Sequence, residues 1–156
     1  MESIDSQRPD MQLVVFRIGD EAFGVDVSEV REIIRVGEIT SIPNAPHYID
    51  GIINLRSRIT VVMNLRKKIG LESKPVDGNS RIIILETCDN NMGIVVDSVA
   101  EVKYVSNEQI ETLPAMMCSS VDSDCIRGVC KLPDQLLILI DLKKLVMSSE
   151  INIIKT

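Results

Sequence analysis

The 156-residue sequence predicts a mainly β protein, built as two small units of about five short strands that pack together and share one core. Three observations predict it. The chain contains 22 Ile and 17 Val, a quarter of all positions, and branching at Cβ favours the pleated surface of a strand. Its apolar runs are short and closely divided by Gly, Pro, Asn and Asp, the pattern of small barrels or a sandwich. An internal repeat supplies the third. Gly24 to Ile33 aligns with Gly93 to Val102, and Gly51 to Lys67 aligns with Gly128 to Lys144, at offsets of 69 and 77 residues. One such match between β-hairpins proves little, since chance similarity can produce it; two in the same order favour a duplicated unit. A unit of this size is too small to stabilise itself comfortably, because small domains bury a lower fraction of their surface. The two are expected to pack face to face, with the groove between them as the natural concave surface.

Residues 1–10 are polar, contain Pro9, and read as a mobile tail. Gln12 to Ile18, the turn Gly19-Asp20-Glu21 and Ala22 to Val25 form a hairpin. Asp26 to Ile34 sets Val27, Val30, Ile33 and Ile34 at helix-like spacings, with Asp26 and Glu29 placed as a capping pair, and predicts one or two helical turns. Gly37, Pro43 and Pro46 make 36–50 an extended connection. Ile52 to Leu55 and Ile59 to Met63 make a hairpin around Arg56-Ser57-Arg58. Leu65 to Ile69 makes a short basic helical turn that Gly70 stops. Leu71 to Ser80 is a surface loop and the best internal boundary. Arg81 to Thr87 and Met92 to Val96 flank a turn at Cys88 to Asn91, and Val99 to Ser106 is a further strand. Ser106 and Gln109 form a capping box, residues 112–124 are irregular, and Ile126 to Leu132 pairs with Leu136 to Ile140 across Pro133-Asp134. A helix follows from about Leu142.

Composition narrows the function classes. Net charge is −6 and aromatics are 3% with no Trp, so phosphate neutralisation and base stacking both lack their residues. Anionic membrane surfaces are disfavoured for the same reason. Met1 to Asp5 is acidic with no apolar core to follow, unlike a secretory signal, and no apolar run approaches the ~20 residues that span a bilayer. A soluble, cytoplasmic protein is expected.

No phosphate-binding loop, dinucleotide fingerprint or nucleophile elbow occurs. His47, the only histidine, stands between Pro46 and Tyr48 and reads as a loop or capping residue rather than a base. Cys88, Cys118, Cys125 and Cys130 lack the C-x2-C spacing of a structural zinc site and read as buried or loop thiols, with a metal site as the alternative. Asp20-Glu21 and Asp122/Asp124 fall in turns, where local backbone bonding favours Asp. Arg66-Lys67-Lys68 reads as a solvated face. Arg56 is different: it ends an apolar strand beside a tight turn and opposite the 25–36 segment. A guanidinium there makes multidentate contacts to a partner's carbonyls or carboxylates, or serves only as a solubilising surface arginine; the spacing fits both.

Leu13-Val14-Val15-Phe16 to Gly19-Asp20-Glu21, Phe23-Gly24-Val25-Asp26 with Val30-Arg31-Glu32-Ile33, and Ile42-Pro43-Asn44-Ala45-Pro46 form a recognisable series. Tyr48 to Arg56, Gly93 to Val99 and Ile138 to Leu142 extend it. The proline segment followed by Gly51-x-x-Asn54-Leu55-Arg56 is its most specific part. From about Gln12 to Val146 the chain resembles the CheW family of chemotaxis coupling proteins. The resemblance implies two intertwined SH3-like five-stranded β-barrel subdomains, and short helices including one at the C-terminus. It sets the CheW-like domain at 11–147 and a C-terminal tail at 148–156. It implies a non-catalytic adaptor, without cofactor or metal, that couples the cytoplasmic tips of methyl-accepting chemoreceptors to the histidine kinase CheA. The protein would be cytoplasmic and recruited to membrane-associated arrays. Carried over by position, the receptor-facing residues are Val30, Glu32, Gly51, Asn54, Arg56 and Val102: Val30 and Val102 as apolar floor, Gly51 permitting close backbone approach, Arg56 as polar anchor. The kinase-facing surface is not assigned to residues.

The chain departs from the family at Ser57, where Gly is usual, at Thr60, where Pro is common, and at Asn64, where Asp is common. Alternatives are a CheW-like coupler of another chemosensory pathway such as pilus motility, and a small-molecule or metal-binding barrel using Cys118, Cys125 and Cys130. An excised regulatory domain of the kinase is a further alternative. Against it, the chain starts with Met and leaves no room for nucleotide-binding or phosphotransfer modules.

Overall fold

The computed structural model of the chain describes residues 11–72, 74–86, 91–112 and 126–145. The expected tails at 1–10 and 148–156, most of the irregular stretch 112–124, and Cys88, Cys118 and Cys125 lie outside these residues. Eleven strands are present among the described residues: β1 Met11–Ile18, β2 Glu21–Asp26, β3 Val30–Arg35, β4 Ile49–Leu55, β5 Arg58–Asn64, β6 Arg81–Leu85, β7 Met92–Val96, β8 Ser98–Val105, β9 Ile110–Glu111, β10 Ile126–Lys131 and β11 Leu136–Ile140. A short helix α1, Leu65–Lys68, follows β5, and a helical turn over 142–145 follows β11. Each is capped by its own preceding polar residue: Asn64 accepts from the Lys67 N–H, and Asp141 from the Lys144 N–H.

The strands form a six-stranded sheet, β8-β1-β2-β11-β10-β9, and a five-stranded sheet, β3-β6-β7-β5-β4. The repeat explains this order. Under it β8, β1, β2, β11 and β10 correspond in turn to β3, β6, β7, β5 and β4. The Thr40–Ile52 bridge corresponds to β9 on β10. Gly24 and Gly93 lie at the matching parallel contacts, β2 on β11 and β7 on β5. Gly51 and Gly128 occupy matching bulges at φ 147° and 154°. An added Cβ would strike the carbonyl oxygen of Thr40 at one and of Glu111 at the other. Each half of the chain places its first hairpin in one sheet and its remaining strands in the other, so the units are intertwined. Neither ladder closes by hydrogen bonds alone; in each, the two edges are successive stretches of chain, β3 and the Thr40 bridge or β8 and β9.

Alternation along the strands fills three cores. Val14, Phe16 and Ile18 of β1 join Ile83 and Leu85 of β6 in a cluster shared by both sheets, where the Phe16 and Phe23 rings stack at 5.5 Å. Leu13 and Val15, facing the other way, join Leu137, Leu139 and Cys130 in the six-stranded unit. Ile82 and Ile84 join Ile53, Val62 and Val95 in the five-stranded unit. The space between the units is therefore largely packed by the shared cluster, where a groove was expected.

Two expectations are corrected. Only Val27–Glu29 is helical, a single 3-10 turn in which Asp26 accepts from the Ser28 N–H; Val30–Arg35 is a strand. Glu29 does not cap that turn but reaches the 142–145 turn instead. Nor is Arg66 to Lys68 a solvated face. Arg66 grips Asp97 of the other half with Nε at 3.1 Å, Lys67 bonds Asp50 at 3.0 Å, and the Lys68 ammonium sits 4.3 Å from the Tyr48 ring centre.

Candidate functional site

β3 and β8 are edge strands at corresponding places, and each carries a bulge just after its start. On β3 the register skips Arg31 between Val30 and Glu32; on β8 it skips Ala100 between Val99 and Glu101. The extra residue restores the same face after a step of three rather than two. Val30 and Ile33 therefore pair with Leu85 and Ile83, and Val99 and Val102 with Phe16 and Val14, all four partners belonging to the shared cluster. Val30 and Val99 are half-buried against that cluster. Ile33 is 37% exposed and Val102 50% exposed. Each edge thus offers an apolar step, a half-buried floor valine and a more open aliphatic three residues on.

Glu32 falls on the opposite face of β3 from Val30, toward Ile34 and the β4–β5 hairpin. There it meets Arg56, whose Nη1 and Nη2 donate to its two carboxylate oxygens at 2.8 and 2.7 Å. Arg56 and Ser57 form the two-residue hairpin turn with φ of 51° and 70°, a left-handed pair that L-residues adopt at a cost. The Arg56 side chain is 70% exposed, so the fork is held by Glu32 while the side chain remains open to a partner. The hydrogen bond from Arg56 holds the Glu32 carboxyl below the usual carboxylate range, and the same bond raises Arg56. The pair is ionised throughout the physiological range.

The other expected residues divide. Asn54 is exposed on β4, in register with Ile59, which is also exposed. Gly51 is buried, and the close approach it permits is that of the Thr40 carbonyl within this chain. Val102 stands on the edge of the other sheet from Val30, Glu32, Asn54 and Arg56. Ile33 and Val99 occupy the places on these edges that match Val102 and Val30, and the expected set lacks them, although the repeat already aligned Ile33 with Val102 and Val30 with Val99. Thr60 is fully buried with a hydroxyl that has no partner among the described residues.

Among the described residues no three His, Cys, Asp or Glu side chains are grouped to hold a metal. Cys130 is buried and desolvation pushes its thiol pKa up, away from a reactive thiolate. His47 packs edge-on against Tyr48 in the proline-bounded segment, at 5.6 Å between ring centres. That segment, 42–46, instead walls an apolar cavity of about 190 Å³ with Ile49 and Val61. No described helix is long and apolar enough to cross a membrane.

Comparisons with known proteins agree with this architecture. Residues 12–150 match the CheW-like domain. The chain is 35% identical to the chemotaxis protein CheW of Treponema pallidum, over 90% of this chain and 85% of that one. It is 32% identical to the chemotaxis protein CheW of Klebsiella aerogenes, over 92% and 86%. The crystal structure of the scaffolding protein TtCheW from Thermoanaerobacter tengcongensis superposes with a TM-score of 0.78 at 35% identity, covering 87% of each chain. With matched bulges, intertwined sheets and relatives that cover it nearly from end to end, this chain belongs to the CheW-like family.

Proposed function

We propose that the protein is a non-catalytic adaptor of chemotaxis signalling that couples chemoreceptor tips to a CheA-type histidine kinase. The receptor's helical tip would lie against the apolar steps of β3 and β8. Val30 and Val99 supply the floor and Ile33 and Val102 the rising sides, with Asn54 and Arg56 offering polar contacts at one flank. The observation that carries this reading is the pair of equivalent edge strands flanking one shared cluster, with a preorganised guanidinium beside only one of them. A helix laid against such a surface is recognised by a few apolar anchors and oriented by a directional polar group. Coupling then follows from differential binding: the adaptor favours those receptor and kinase states that present both contacts at once. Recruitment to membrane-associated arrays is a consequence of receptor binding, since the receptor supplies the membrane attachment.

The test is a calorimetric titration with a fragment of a receptor's cytoplasmic tip, followed by addition of the kinase's regulatory domain. Saturable binding of the fragment and a ternary complex are expected. Failure to bind any receptor tip while still binding the kinase domain would reassign the β3 and β8 edges.

A further inference from the structure

We propose that Glu29 is a positioning residue whose carboxylate ties the start of β3 to the helical turn at 142–145, and so fixes where Val30, Glu32 and Ile33 stand. The proposal rests on β3 being a partner-binding edge. Glu29 is only 7% exposed, and its Oε1 accepts from the backbone N–H groups of Leu142 at 3.1 Å and Lys143 at 3.4 Å. Its Oε2 lies 3.8 Å from Arg127 Nη1 of β10, and its carbonyl accepts from the Glu86 N–H at 2.8 Å, just beyond β6. One residue of the first half is thereby bonded to three elements of the second.

A helical turn starts with N–H groups that have no partner inside it. The side chain of Asp141, the local cap, takes the Lys144 N–H and its carbonyl the Leu145 N–H. The first two, of Leu142 and Lys143, are taken by a side chain more than a hundred residues away, so the seating of the turn depends on the start of β3 and the start of β3 on the turn. Leu142 and Leu145 are both fully buried in the shared cluster, which makes the turn a firm anchor. β3 needs one. It is an edge strand whose backbone ladder runs to β6 alone, and the bulge at Arg31 interrupts that ladder at once after Val30. The other crossover, at Asp97, uses a different device: the carboxylate there binds the Arg66 side chain and the Gly19 N–H rather than a helix start.

The experiment compares the full chain with Glu29→Ala and Glu29→Gln, reading amide hydrogen exchange together with titration of the receptor-tip fragment. Glu29→Ala is expected to speed exchange at Leu142, Lys143 and across Val30 to Arg35 together, about tenfold or more, and to weaken fragment binding. Glu29→Gln keeps an acceptor oxygen and restores both. Cys130→Ala, in the six-stranded unit's own cluster, serves as a destabilised control that lowers the unfolding midpoint without changing affinity. Unchanged exchange over β3 in Glu29→Ala, or a Gln variant that behaves like Ala, overturns the proposal. A wild-type chain that binds no receptor tip overturns the functional reading instead, and exchange alone then decides the tie.

Discussion

Glu32 of the edge strand β3 and Arg56 in the β4–β5 turn are joined across the five-stranded sheet by a forked ion pair, with both guanidinium Nη atoms within 2.8 Å of the carboxylate oxygens. Thr40 and Ile52 reinforce the same seam with two backbone bonds of 2.9 and 2.8 Å. The seam is closed twice, and only one closure is backbone.

That redundancy separates binding from stability at Arg56. Exposed ion pairs add little to folding, and the backbone bonds of Thr40 survive the loss of a side chain. Arg56→Ala is expected to leave the urea midpoint nearly where it was while weakening receptor-tip binding about tenfold or more. Arg56→Lys should recover little, because an ammonium cannot reproduce the planar fork. Paired denaturation and titration curves check both.

Charge placed on the apolar steps should be felt more by the partner than by the fold. Ile33 and Val102 are open enough for an aspartate to remain hydrated. Ile33→Asp and Val102→Asp are expected to lower stability by about 1 kcal/mol, through lost strand preference and partial burial, and to cost about 2 kcal/mol or more of binding free energy. Equal losses at the two positions would show that both edges contact one partner; loss at Ile33 alone would confine the contact to β3.

The duplicated glycines make a purely structural prediction. Gly51→Ala and Gly128→Ala should each destabilise by about 2–4 kcal/mol, since each adds a Cβ at a strained positive φ and against a carbonyl oxygen. Gly37→Ala, where an added Cβ meets nothing, should be neutral. Chemical denaturation of the three variants distinguishes them.

Much of this fold is written locally. The β1–β2 hairpin, the β10–β11 hairpin and the stop at Gly70 follow from alternation and turn residues, and the repeat anticipates the matched glycines. The helix expected across 26–34 fails for a specific reason. A bulge inserts one residue between Val30 and Ile33, so two residues on one face of a strand stand three apart, which is the spacing of a helix. Arg66 misled in a different way. Its partner Asp97 is 31 residues distant, on the other half of the chain, and nothing near Arg66 signals that it is enclosed. Asn54 and Arg56 stand out in the sequence because a motif carries them, and the repeat already pairs Ile33 with Val102 and Val30 with Val99, while their part in binding a partner belongs to the proposal. Gly51 belongs to the same motif, but its freedom is spent on Thr40.

The two crossover carboxylates should respond to pH in opposite directions. Burial raises Glu29, as do the neighbouring charges of Asp141 and Asp26, against the Lys143 N–H and Arg127. Its folded-state pKa thus lies above the unfolded value, so the stability it contributes is present in acid and is lost as pH rises through that folded value. Glu29→Gln should be at least as stable as the wild type at pH 7, with the difference shrinking toward pH ~4. Burial also opposes ionisation of Asp97, but bonds from Arg66 and the Gly19 N–H, with the charges of Arg66 and Lys74, outweigh it and hold that group below the carboxylate range. Its contribution is present at neutral pH and is lost as pH falls below ~4. Asp97→Asn should therefore flatten the acid limb of the stability profile, as followed by urea midpoints from neutral pH downward.

The most direct measurement is titration of the purified chain with a receptor-tip fragment, in wild type and in Arg56→Ala and Val102→Asp, each first shown to be folded. Saturable binding that both substitutions weaken, without loss of the kinase regulatory domain's binding, is the result this account predicts. Binding that neither substitution alters would contradict it.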